Sequence, residues 1–198
     1  NHNPKTVIKE KPEEKQSFQS HLVEFFQTLV VFAAIGTAIY WLIAQPHRVE
    51  GSSMYPTFKN GDYIITDKVS YRIGEPKRGD VIVFKDPQNE SQDFIKRVMA
   101  LPGDTLKVEN GRVFLNGKQM DENYIDSDVN TKPGIFLKDG QSALVEPGKF
   151  LVFGDNRDHS SDSRAWGFIE KREIIGKVFF RYWPIGEIGI FDKTKNTP

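Results

Sequence analysis

The chain opens polar, turns apolar once, and then alternates. Residues 1–19 mix Lys5, Lys9, Lys11 and Lys15 with Glu10, Glu13 and Glu14. Such a stretch buries no core and predicts a solvated tail over 1–21. Over 22–44 apolar residues follow one another almost unbroken, and 29–44 has no polar face. As a helix the stretch would be about 35 Å long, enough for a hydrocarbon layer of roughly 30 Å. It predicts a transmembrane anchor over 22–44, with Glu24 and Gln27 near one headgroup region and Tyr40 and Trp41 near the other. A buried core helix would show a polar face instead. The exit through Ala44-Gln45-Pro46-His47-Arg48 lacks the short apolar core and small-residue end of a cleavable signal, so retention is expected. Four lysines before the span, against Arg48 and Lys59 after it, put the tail in the cytoplasm and the remainder outside.

Past Val49 the period changes to that of strands. Segments 62–71, 80–85, 93–101, 105–109, 112–115, 143–153 and 174–183 are rich in β-branched and aromatic residues, with Gly, Pro, Asn or Asp at their borders. Asn110-Gly111 is a strong hairpin signal and Asn116-Gly117 marks a second tight turn. Residues 121–141 are polar and weakly patterned, which predicts a surface excursion or small flap. Helical periodicity is scarce after Ala44. The expected fold is mainly β: a single transmembrane helix, an antiparallel domain over 45–192 in a curled sheet or barrel, and a short tail over 193–198.

Composition then removes several classes of function. Lysine plus arginine number 27 and aspartate plus glutamate 27, so no polyelectrolyte partner is implied and no basic face marks a nucleic-acid binder. There is no cysteine, which removes thiolate nucleophiles, disulfides and thiolate zinc sites. His2, His21, His47 and His159 have no metal-ligand spacing, so a zinc enzyme is not expected.

The stretch Gly51-Ser52-Ser53-Met54-Tyr55-Pro56-Thr57 reads in two ways. It is a Gly/Ser/Pro turn leading into the first strands, which turn chemistry alone favours, or it presents a nucleophilic serine. The elbow Gly-x-Ser-x-Gly fails because Tyr55 stands where the second glycine belongs. Ser-x-x-Lys occurs nowhere. A triad would have to recruit His159 from a run of charged and hydroxyl residues. Lys96 is the other base available to a serine. Strand alternation puts Phe94, Lys96 and Val98 on one face and Ile95 and Arg97 on the other. A lysine among apolar residues is desolvated, which lowers its pKa and leaves some of it neutral to accept a proton. The strand alone favours instead a lysine that snorkels outward or pairs with a nearby aspartate.

Four blocks taken together resemble the type I signal peptidases, in that family's order. They are Ser53-Met54-Tyr55-Pro56-Thr57, then Arg78-Gly79-Asp80-Val81-Ile82-Val83-Phe84. Next come Phe94-Ile95-Lys96-Arg97 with Leu101-Pro102-Gly103-Asp104. Last is Gly154-Asp155-Asn156-Arg157-Asp158, running on through Ser163-Arg164-Ala165-Trp166-Gly167. The resemblance implies a membrane-bound serine endopeptidase that removes signal peptides from secreted preproteins. It implies Ser53 as nucleophile and Lys96 as general base, with Ser160 hydrogen-bonded to the lysine and no metal or organic cofactor needed. Asp162 and Arg164 become a supporting ion pair, Asp155 and Arg97 hold the loops, and Val49 and Ile95 wall the substrate pocket. Some members carry a serine two residues before the nucleophile, where this chain has Gly51. The oxyanion hole then rests on backbone N–H groups, that of Ser53 first. Arg157 and Asp158 are read as structural, and His159 has no role. The expected partners are preproteins and a lipid bilayer, the expected state a monomer, and the expected location a bacterial-type plasma membrane or a thylakoid one. A self-cleaving Ser/Lys repressor would instead need a helix-turn-helix before the β domain. A catalytically dead, membrane-anchored peptide-binding module would have no use for Ser53 and Lys96.

Overall fold

The computed structural model describes residues 13–191 and divides after Trp41 into two compact units. In the first unit, α1 (Glu13–Leu42) is 30 residues long. Its stretch Phe18–Tyr40 has a mean hydropathy of 1.9 and buries none of itself within the protein, so it is long and apolar enough to cross a membrane. Thr28 and Thr37 return their hydroxyls to the carbonyls of Glu24 and Ala33, each at 2.8 Å. The apolar surface therefore carries no unsatisfied threonine. The helix starts nine residues before the predicted span, because Glu13-Glu14-Lys15-Gln16 are good helix formers that extend it into the polar stretch. The rest of the predicted tail, residues 1–12, lies outside the described residues, as does 193–198.

The helix also ends earlier than 44. Pro46 cannot continue it and biases Gln45 toward extended backbone, so β1 (Ala44–Arg48) begins at once. There follow β2 (Tyr63–Asp67), α2 (Ser70–Ile73), β3 (Val81–Asp86), β4 (Asn89–Ala100), β5 (Thr105–Glu109), β6 (Arg112–Leu115) and β7 (Lys118–Gln119). The chain continues with β8 (Ser142–Leu144), β9 (Lys149–Phe153), α3 (Ser163–Trp166), β10 (Ile169–Glu170), β11 (Ile174–Trp183) and β12 (Gly189–Ile190). The larger sheet has the order β1-β2-β11-β3-β4-β9-β10 with β12 beside β11, and the smaller has the order β7-β6-β5-β8. Every pairing is antiparallel.

Two predicted strands are broken by local chemistry. Segment 62–71 stops at Asp67, whose carboxylate accepts from the N–H groups of Val69 and Ser70 at 2.7 and 3.1 Å and turns the chain into α2. Segment 143–153 is cut at Pro147-Gly148, with Gly148 at φ +77°, so its halves join different sheets. The 121–141 excursion has no strand and is tied down by buried Thr131 and Leu137.

β4 separates two apolar clusters in the way its alternation predicts. Phe94 and Val98 pack with Ile82, Phe84, Phe150 and Val152. Ile95 packs with Val49, Met54, Ile64 and Val83 on the other side. A third cluster, around Leu106, Val108, Val113 and Leu137, fills the smaller sheet. β1 and β4 lie four places apart, roughly 19 Å if the sheet were flat. His47, Val49, Asp93 and Lys96 nevertheless line one cleft, so the sheet curls.

Candidate active site

Ser53 sits in a turn that is pinned from both sides. Gly51 has φ +84°, a left-handed conformation natural to glycine, and its N–H donates to Asn60 Oδ1 at 3.0 Å. After the serine, Met54 and Phe58 are each only 1% exposed and plug the turn into the core. The carbonyls of Ser52 and Ser53 accept from Asn156, through Nδ2 at 3.1 Å and the backbone N–H at 3.0 Å. The N–H of Ser53 makes no hydrogen bond among the described residues.

Lys96 approaches from β4, 4% exposed. Its Nζ lies 2.9 Å from Ser53 Oγ and 2.9 Å from the Ile95 carbonyl, which it meets as a donor. The ring of Phe94 stands 5.1 Å from the amine. Burial lowers the Lys96 pKa to about 8 against the opposing pull of Asp162, Asp155 and Asp86. Of the two readings left open by the strand, the inward, desolvated lysine is the one observed.

Around this pair two buried ion pairs stiffen the frame. Arg97 grips Asp155 through Nε at 2.8 Å and a terminal nitrogen at 2.6 Å, and Thr57 Oγ1 donates to the same carboxylate at 2.5 Å. The nucleophile turn, β4 and the 154–160 loop are thus joined at one carboxylate. Asp162 receives both Nε and a terminal nitrogen of Arg164 at 2.8 Å, and also the N–H of Gly154 at 3.0 Å. Val49 and Ile95 line the cleft beside Ser53 and Lys96, a groove of about 480 Å³.

Ser160 departs from expectation. Its Oγ is buried without a hydrogen-bond partner, so it does not hold Lys96 in this structure. The Lys96 amine is held by Ser53 Oγ and the Ile95 carbonyl instead. Ser160 packs against Gly154, where an added Cβ would come 2.2 Å from Ser160 Oγ and 2.5 Å from the Ser53 carbonyl oxygen. His159 is exposed, as is Asp158, which pairs with Lys132 at 2.8 Å. Arg157, expected to be structural, is buried and central. It donates to the Gly154 carbonyl at 3.0 Å and Thr131 Oγ1 at 2.7 Å, and it pairs with Glu122. Sequence reasoning passed over Asn156, Thr57 and Gly154 as individuals, although each stands within a quoted block. Glu122 carries no sequence signal, because its partner lies 35 positions away.

Fold and site together are those of a serine endopeptidase built on antiparallel sheets. The family described as signal peptidase, peptidase S26, matches residues 22–183. A probable signal peptidase I-2 of Synechocystis sp. is 34% identical over 190 residues, covering 93% of this chain and 84% of that relative. Signal peptidase IB of Staphylococcus aureus is 34% identical over 190 residues, covering 90% of this chain and 98% of its own length. A crystal structure of a signal peptidase I from Enterococcus faecalis V583 is 28% identical and covers 52% of this chain and 96% of that one, with a TM-score of 0.42. The chain belongs to the type I signal peptidase family.

Proposed function

We propose that the chain removes signal peptides from secreted preproteins at a membrane, with Ser53 as nucleophile and Lys96 as general base. The observation that carries this is the 2.9 Å approach of Lys96 Nζ to Ser53 Oγ inside a peptide-sized cleft, with the amine held near pKa 8. Neutral Lys96 accepts the Ser53 proton as Oγ attacks the scissile carbonyl. The C–N bond then breaks, the amine leaves with the proton from Lys96, and Ser53 carries an acyl ester. Water, deprotonated by the same amine, releases the acid. The unengaged N–H of Ser53 suits the developing oxyanion.

The sheet accounts for how a peptide would lie. β1 and β4 are related by four successive antiparallel pairings, so they run in the same direction, both toward the dyad. Among the described residues β1 pairs only with β2, and β9 takes up β4 only from Arg97 onward. An extended substrate entering between these edges adds as a strand, with the residues before the cut parallel to both. Val49 and Ile95 narrow the space at the dyad, which fits the small residues one and three positions before the cut that the family resemblance implies. α1 serves as the anchor, its N-terminal end cytoplasmic and the β domain on the other side.

The test is incubation of the full chain with a preprotein, wild type against Lys96→Ala, with the new N-terminus sequenced. Wild type should cut after the signal, and Lys96→Ala should lose at least about 10³-fold in rate with its circular dichroism intact. A fully active Lys96→Ala protein would overturn the dyad.

A further inference from the structure

The cleft does not end at the dyad. Gln45 and His47 share one face of β1 by alternation, and Val49 follows just past its end. His47 and Val49 line the catalytic cleft, whereas Gln45 lines a second recess of about 350 Å³. Lys85 and Asp93, paired between β3 and β4 at 2.6 Å, border both cavities, so the two adjoin. From one to the other the walls change character. They are apolar at Val49 and Ile95, polar at His47 and Ser91, and basic at Lys68 and Arg72.

The charge of the far section is one-sided. Among the described residues lining it, Lys68, Arg72 and Lys85 face a single carboxylate, Asp93. Asp93 is already engaged by Lys85, and among the described residues Lys68 Nζ meets only the neutral Oε1 of Gln45, at 3.3 Å. Arg72 is exposed at the end of α2. Burial lowers the pKa of His47, and Lys68 and Lys85 depress it further against the pull of Asp93, so it adds no charge at neutral pH.

Strand geometry sets the distance. Gln45 precedes Val49 by four residues, about 13 Å at roughly 3.3 Å per residue. A peptide running parallel to β1 therefore reaches the basic section about four residues further upstream than it reaches Val49.

We infer that the basic section formed by Lys68, Arg72 and Lys85 is a second specificity subsite. It favours acidic over neutral side chains, and disfavours lysine and arginine, about five to eight residues before the scissile bond. This rests on the peptidase reading and adds to it a charge filter remote from the cut.

The experiment uses the full chain in neutral detergent. Its substrates are matched preproteins carrying a single Asp, Asn or Lys at each of these positions. The expected order of kcat/KM is Asp above Asn above Lys, with about fivefold between the extremes at low salt and little at high salt. Lys68→Glu combined with Arg72→Glu should reverse the order, with the Lys substrate cut faster than the Asp substrate. Equal rates for the Asp and Lys substrates overturn the inference alone, as does an order that the double variant does not alter. Absence of cleavage of any substrate overturns the peptidase reading and this inference with it.

Discussion

At the scale of residues, Lys96 fixes how the protein answers to pH. Its amine is protonated below about pH 8 and free above it. The rate at limiting substrate should fall about tenfold per pH unit below 8 and level off above, which a pH profile of kcat/KM checks. Stability carries the same signature. Below about 8 the amine is protonated folded or unfolded, and the fold bears the full cost of a buried ammonium. Between about 8 and 10.5 only the unfolded chain keeps the proton, so stability rises with pH across that window. Lys96→Met should therefore stabilise the fold at pH 7 by up to about 3 kcal/mol, read as a rise in Tm. Lys96 was legible from its strand, because alternation alone puts it on the Phe94 and Val98 face. That it turns inward was not, since the pattern alone favours a lysine that snorkels outward or pairs with an aspartate. Ser160 shows the opposite failure: the motif names it, yet its hydroxyl is spent on packing beside Gly154.

At the scale of elements, the 154–160 loop ties the site together. Gly154 leaves no room for a methyl group between Ser160 and the Ser53 carbonyl. Gly154→Ala should lower kcat by about 10²-fold or more, with KM less affected, because the nucleophile turn must shift. Behind the loop stands the 121–141 excursion, legible only as a polar stretch. Glu122, Tyr124 and Thr131 converge there on a guanidinium whose side chain is wholly buried. Glu122→Ala strands that charge and should cost about 3 kcal/mol, read as a drop in Tm, with Glu122→Gln recovering part of it. Periodicity could not show this, because polar residues around a buried arginine look the same in sequence as polar residues in solvent. The break of segment 143–153 was legible after the fact in Pro147-Gly148, and that of 62–71 in Asp67, an acceptor for the next turn.

At the scale of the whole molecule, the chain reads as a helix followed by a β domain, and hydropathy made that division plain. The sheet order did not follow from the sequence. β11 enters between β2 and β3 from the far end of the chain, and nothing in local pattern announces such a partner. The unit from Leu42 onward has its own three apolar clusters. A chain beginning at Leu42 should fold by circular dichroism, cut a soluble peptide, and lose its partition into liposomes.

The gap between β1 and β4 has one further consequence. Two unpaired edges side by side are a template for any extended segment, a neighbouring copy's edge included. The residues along them oppose pairing with a neighbouring copy's edge. Pro46 supplies no N–H, and Arg48, Glu50 and Asp93 set exposed charge on the rims. The opening that admits a peptide thus carries its own defence against aggregation.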